Sequence, residues 1–173
     1  MKRCVEIKKE NYLRSIKQLS FDKTNNISLC KYKNRFLDFE EIVKIRKSNE
    51  LPKAVDMLYI DDEKKEIWFI EFKNKEKEKI DKFDVKRKIL DSLISFYELF
   101  DDNNLRCKYT KNYFVVYKCS NDSFEEMYNE FEDIEIYFEL EEIKNKFLEC
   151  VITECCEFFI KYFENNNNIN WEE

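Results

Sequence analysis

The chain has 173 residues, 43% hydrophobic and 16% aromatic, and a net charge of −6. That suits one domain with a single core, excludes a disordered chain despite 39% charged residues, and argues against nonspecific coating of nucleic acid. With no histidine and no glycine, histidine-based nucleophile pairs, HExxH zinc sites, Walker loops and the GxGxxG fingerprint are all excluded.

In chain order, residues 8–20 are predicted as a short helix with Tyr12, Leu13, Ile16 and Leu19 on one side. The stretch 34–48 (NRFLDFEEIVKIRKS) places Phe36, Phe39, Ile42 and Val43 on one helical face, and Pro52 blocks any continuation. VDMLYI and EIWFIEFK flank the charged turn DDEKK and read as an antiparallel hairpin. Both faces of each run are apolar, as in central strands covered on two sides. Residues 81–100 form an amphipathic helix whose broad apolar face includes Phe83, Ile89, Leu90, Leu93, Ile94 and Phe96. A third strand is expected at 112–119, a Ser-capped helix from 123, an outer strand at 134–140 and a long helix at 141–163. The expected fold is therefore α/β, a mixed central sheet flanked by helices, in one domain over 1–164. The low-complexity tail 165–173 is expected to be flexible. With glycine absent, turns that need positive φ are expected to use Asn or Asp, at 24–26, 101–104 and 120–122.

No apolar run approaches the ~20 residues that span a bilayer. No apolar segment follows the basic start MKRCVEIKKENYLRS, so the expected setting is cytoplasmic. The seven cysteines are irregularly spaced and include no CxxC pair, a poor disulfide or metal framework; reduced, mostly buried thiols are expected. Charge is segregated. Residues 73–88 are lysine-rich, whereas 122–142 is strongly acidic and lacks Lys and Arg, a face suited to a protein partner.

The chemistry left to such a chain is that of carboxylates, lysine, tyrosine and thiol. A metal held by carboxylate oxygens would be Mg²⁺ or Mn²⁺. Asp56 opens the first strand of the hairpin, and Glu71 and Lys73 sit near the end of the second, on one face by strand alternation. Two neighbouring carboxylates repel unless a cation lies between them. Asp56, Glu71 and the Phe72 carbonyl could hold Mg²⁺, with Lys73 orienting or deprotonating a water and neutralising transition-state charge. The Asp/Glu-x-Lys tripeptide recurs elsewhere in the chain, but only the 71–73 copy ends an apolar strand behind an acidic strand opening.

Asp56 followed by EFK at 71–73 resembles the PD-(D/E)XK nuclease superfamily, with Pro52 four residues before the Asp rather than adjacent. The likeness covers residues 34–119, about half the chain. It implies a restriction-endonuclease-like α-β-β-α-β core and metal-dependent hydrolysis of phosphodiester bonds, DNA ahead of RNA. A homodimer is a common assembly for small nucleases of this kind. The resemblance also implies an auxiliary Glu on the preceding helix, for which Glu40 fits better than Glu41, and a polar residue on the following helix, from among Lys86, Lys88 and Ser92. The competing expectation is an inactive interaction module on the same fold, working through its acidic face.

Overall fold

The two apolar runs around DDEKK form the hairpin at the centre of the molecule. In the computed structural model, which describes residues 9–46, 52–100, 108–119 and 136–172, β5 (Met57–Asp61) and β6 (Glu66–Lys73) pair antiparallel, Met57 opposite Ile70 and Asp61 opposite Glu66. The Asp61 carboxylate accepts the amides of Glu63 and Lys64 and so shapes the turn.

Six strands make the main sheet, in the order β1 (Leu13–Ser15), β4 (Arg35–Asp38), β5, β6, β7 (Thr110–Tyr117) and β8 (Cys150–Cys155). Pairing is antiparallel from β1 to β6 and parallel from β6 through β8. A parallel neighbour needs a crossover, and α3 (Lys82–Leu99) lies on the connection from β6 to β7. A second, two-stranded sheet joins β2 (Phe21–Asp22) to β3 (Ile27–Ser28).

Alternation along β6 decides the layering. Phe69 packs edge-on against Phe39 of α2 (Phe39–Arg46) and against Phe96 of α3. Trp68 and Phe72 point the other way, onto Tyr162, Phe163 and Phe159 of the C-terminal helix α5 (Cys156–Asn167). The mixed sheet is thus covered on both faces. Full burial of Phe69, Phe96, Phe114 and Phe159 contributes about 1.5–3 kcal/mol per side chain.

Helix α3 starts where Asp81 caps it, accepting the Phe83 amide at 2.9 Å. Val85, Ile89, Ser92, Leu93 and Phe96 are its inner stripe. Phe83, Leu90 and Ile94, expected on the apolar face, are exposed, Phe83 by 70%. A single helix can seat only one side on a sheet, and these three fall outside the seated stripe.

Several expected elements are corrected. Residues 9–20 form a 3₁₀ turn (Lys9–Tyr12), β1 and a four-residue helix, α1 (Ile16–Leu19). The helix predicted from residue 34 begins only at Phe39, because Arg35–Asp38 is an interior strand paired on both edges. The long helix predicted at 141–163 is two helices, α4 (Glu141–Phe147) and α5, with β8 between them. The β-branched run Val151-Ile152-Thr153 favours a strand once a parallel partner exists. No strand forms over the described part of 134–140, where Phe138 and Glu139 take positive φ. The helix expected from residue 123 lies outside the described residues.

Positive φ occurs at Asn26 as expected and at Asn168, but also at Lys65; 101–104 and 120–122 lie outside the described residues. Beyond α5, Trp171 donates to the Ile160 carbonyl at 2.9 Å and stands 5.3 Å from the Tyr32 ring, while Asn34 bonds to the backbone of Asn170 and Glu172. Among the described residues, no helix is long and apolar enough to cross a membrane.

Candidate active site

The register of the hairpin builds the site. With Met57 opposite Ile70, one further step sets Asp56 opposite Glu71, the spacing of a cross-strand pair. The Asp56 side chain closes that step by accepting the Phe72 amide at 2.7 Å, and its own carbonyl accepts the amide of Phe39, the first residue of α2. The Ser92 hydroxyl of α3 accepts the Val55 amide at 2.9 Å in the buried interior. Asp56 is therefore tied to β6 and α2 through its own atoms, and to α3 through its neighbour.

Glu71 continues the inward face of Ile67 and Phe69 and is only 1% exposed. Its Oε1 receives two ammonium groups, Lys88 at 2.7 Å and Lys73 at 2.8 Å. Lys88 lies 3.7 Å from Asp56 Oδ1 as well, so one cation from α3 spans the two carboxylates. Lys73 reaches on to Asp84 Oδ2 at 2.7 Å, and the other oxygen of Asp84 is taken by Lys53. The result is a chain of alternating charge, Asp56–Lys88–Glu71–Lys73–Asp84–Lys53. Glu71 Oε2, in contrast, is buried with no hydrogen-bond partner.

The electrostatics follow from this order. Burial, and next the charge of Glu71, push the Asp56 carboxyl well above the usual aspartate range. Burial pulls Lys88 down, but Asp56 and Glu71 outweigh it and hold its ammonium above the ordinary lysine value. Lys73 is raised in the same way, burial being overcome by Glu71 and Asp84. Burial would raise Asp84, yet its bonds to Lys53 and Lys73 bring it well below the normal value. Tyr113, fully buried on β7, is driven upward first by burial and then by Glu71, Asp56 and Asp84, which keeps its phenol protonated.

The pair opens into a cleft of about 550 Å³ between the β2–β3 hairpin, the start of α2 and the end of β6. Lys23, Lys44, Lys73, Lys75 and Lys88 line it beside Asp22, Glu40, Asp56 and Glu71. Glu40 stands at the rim, 46% exposed and bonded to Lys44 at 3.0 Å, close enough to Lys88 to help raise it. Phe72 also lines the cleft.

Of the three residues considered on the following helix, Lys88 enters the charged chain and Ser92 braces the strand before Asp56. Lys86 turns away to Glu139. Lys86 and Lys88 flank the buried stripe of Val85, Ile89, Ser92 and Phe96 on opposite sides, so the seating of α3 on β6 decides which of them enters the site. Asp84 and Lys53 are not singled out by the sequence; their signal is only that they meet Lys73 in three dimensions.

Whether Asp56 and Glu71 suit a divalent ion can be judged from their oxygens. An anionic oxygen buried without a donor is costly, and Glu71 Oε2 is such an oxygen, beside a second carboxylate in an open cleft. Hard oxygen donors of this kind match Mg²⁺ or Mn²⁺. The chain matches no protein-family model, and neither a curated protein nor a solved structure shows significant similarity to it.

Proposed function

We propose that the chain is a metal-dependent nuclease of the PD-(D/E)XK kind, hydrolysing phosphodiester bonds, with DNA as the preferred substrate over RNA. The observation that carries this is the unpartnered, buried Glu71 Oε2 next to Asp56, with Lys73 on the same strand end and a lysine-lined cleft in front. The helix–hairpin–helix–strand order of α2, β5, β6, α3 and β7 supports the same assignment.

Asp56, Glu71 and the Phe72 carbonyl would hold Mg²⁺ or Mn²⁺, which supplies an acidified water and neutralises charge on a phosphodiester oxygen. Lys73 is held protonated by Glu71 and Asp84. The Asp84 contact at 2.7 Å places it as a fixed cation for the developing transition-state charge. The cleft lysines attract and seat the phosphate backbone. Glu40, at the rim, is placed to orient a water or cation entering from solvent.

The test is cleavage of plasmid, linear duplex, single-stranded DNA and RNA with Mg²⁺ or Mn²⁺ against a chelator. Asp56→Ala and Lys73→Ala should each lower the rate by about 10²–10⁴-fold. Metal-dependent cleavage that survives both substitutions overturns the assignment.

A catalytically inactive interaction module on the same fold is favoured by one observation: Lys88 already bridges Asp56 and Glu71, the work a metal would do. Its proposed docking face, the acidic segment 122–142, lies outside the described residues up to 135. Calorimetry discriminates the two, since the module binds no Mg²⁺ or Mn²⁺ at Asp56 and Glu71.

A further inference from the structure

The sheet offers a second group of ligand atoms, of different chemistry, at the same end as the cleft. Lys73, Tyr117 and Cys155 are aligned across β6, β7 and β8 by the parallel register. Two strand spacings of ~4.8 Å put the backbone of Cys155 about 10 Å from that of Lys73. Cys119 lies two residues beyond the end of β7, and Glu157 is in the first turn of α5. One ligand atom from each of Cys119, Cys155 and Glu157 lies within 4.8 Å of the other two.

We propose that Cys119, Cys155 and Glu157 form a binding site for a thiophilic divalent ion of the Zn²⁺ class, separate from the carboxylate pair. Two sulfurs sharing a tetrahedral zinc at ~2.3 Å each stand ~3.8 Å apart, and the observed separations, all within 4.8 Å, come within about 1 Å of that or closer. Two thiolates and one carboxylate would exceed the charge of the ion by one, and the three donors leave a fourth position for water.

The donor set selects against the ion proposed for the cleft. Mg²⁺ prefers oxygen and binds thiolate poorly, whereas thiolates select Zn²⁺ and its neighbours. Cys155 is fully buried and anchored in β8, Cys119 is partly exposed, and Glu157 is exposed. That gradient provides one rigid ligand, one adjustable ligand and an entry path from solvent. Occupancy would pin the ends of β7 and β8 to the start of α5, and so stiffen the sheet beside the cleft. Binding displaces both thiol protons to solvent.

The experiment is titration of the reduced, full-length chain with Co²⁺ as an optical stand-in for Zn²⁺. The expected result is a thiolate-to-cobalt charge transfer that saturates at one equivalent, with the visible bands of tetrahedral Co²⁺, both bleached by excess Zn²⁺. Cys119→Ser should weaken binding about tenfold or more and remove much of the charge-transfer intensity. Glu157→Gln, at an exposed position, should weaken binding while leaving the fold intact. Cys150→Ser, at the far end of β8, should behave as the unsubstituted chain, and Asp56→Ala should keep the full thiolate signal. Absence of thiolate charge transfer in the unsubstituted reduced chain overturns the proposal, and so does an unchanged signal in Cys119→Ser.

Discussion

Glu71 and Lys88 meet at the closed end of the cleft, Nζ 2.7 Å from Oε1, while Glu71 Oε2 is left buried and unpartnered. Lys88 is therefore the cation that makes two facing carboxylates tolerable when no metal is bound. Removing one partner of a buried ion pair strands the other, at a cost of about 3 kcal/mol or more. Lys88→Met should lower stability to urea by that amount at neutral pH. Mg²⁺ or Mn²⁺ should raise the midpoint of Lys88→Met more than that of the unsubstituted chain, because the ion replaces the lost charge. Equal shifts in the two proteins would show that lysine and metal do not share a site.

Asp56 contributes a pH dependence of its own. Its carboxyl is raised by burial and by Glu71, so it binds its proton more tightly in the folded chain than in the unfolded one. The contribution of Asp56 to stability then falls as pH climbs from the unfolded aspartate value, about 3.9, toward the raised folded value. Asp56→Asn keeps an acceptor for the Phe72 amide and removes the ionisation. In chemical denaturation from pH 4 to pH 8, its stability relative to the unsubstituted chain should rise with pH. A constant or shrinking difference would show that Asp56 is not strained by its ionisation.

Asp84 acts through Lys73. The carboxylate takes one ammonium from Lys73 and one from Lys53, which fixes the lysine and helps keep it charged. In the cleavage assay, Asp84→Asn should reduce the rate by about tenfold, less than Lys73→Ala, since the cation remains but is less firmly placed. Its alkaline limb should move to lower pH, because one stabilising anion is gone. A rate loss equal to that of Lys73→Ala, with no movement of the alkaline limb, would assign Asp84 a different role.

Ser92 is the least conspicuous member of the site. Its hydroxyl accepts the Val55 amide inside the core. Ser92→Ala leaves that amide without a partner, at a cost of about 1–3 kcal/mol. Urea denaturation should show this loss, and metal affinity should drop as well, because the strand carrying Asp56 is no longer braced. Unchanged stability would mean that a water or a backbone shift satisfies Val55.

By itself the sequence determined the hairpin, the long helix after it, the strand that follows, and the placing of Asp56, Glu71 and Lys73 at one end of the hairpin. Those features are local. A period of two through EIWFIEFK, a period near 3.6 through 82–99 and a charged turn between two apolar runs can each be read within a few residues. The register that sets Asp56 opposite Glu71 follows from the same short turn.

Tertiary structure alone decided which short apolar segments became strands. Arg35–Asp38 carries too little pattern to separate it from the helix it precedes, and becomes β4 because β1 and β5 offer free edges on either side. Cys150–Cys155 was hidden in an apolar run long enough for a helix, and β7 drew it into the sheet. The choice of Lys88 over Lys86, and the capture of Lys73 by Asp84, depend on how α3 seats against β6, a rotation that no local pattern encodes. The meeting of Cys119, Cys155 and Glu157 has the same origin, since it joins a strand end to residues more than thirty positions away through pairing that exists only in the folded sheet.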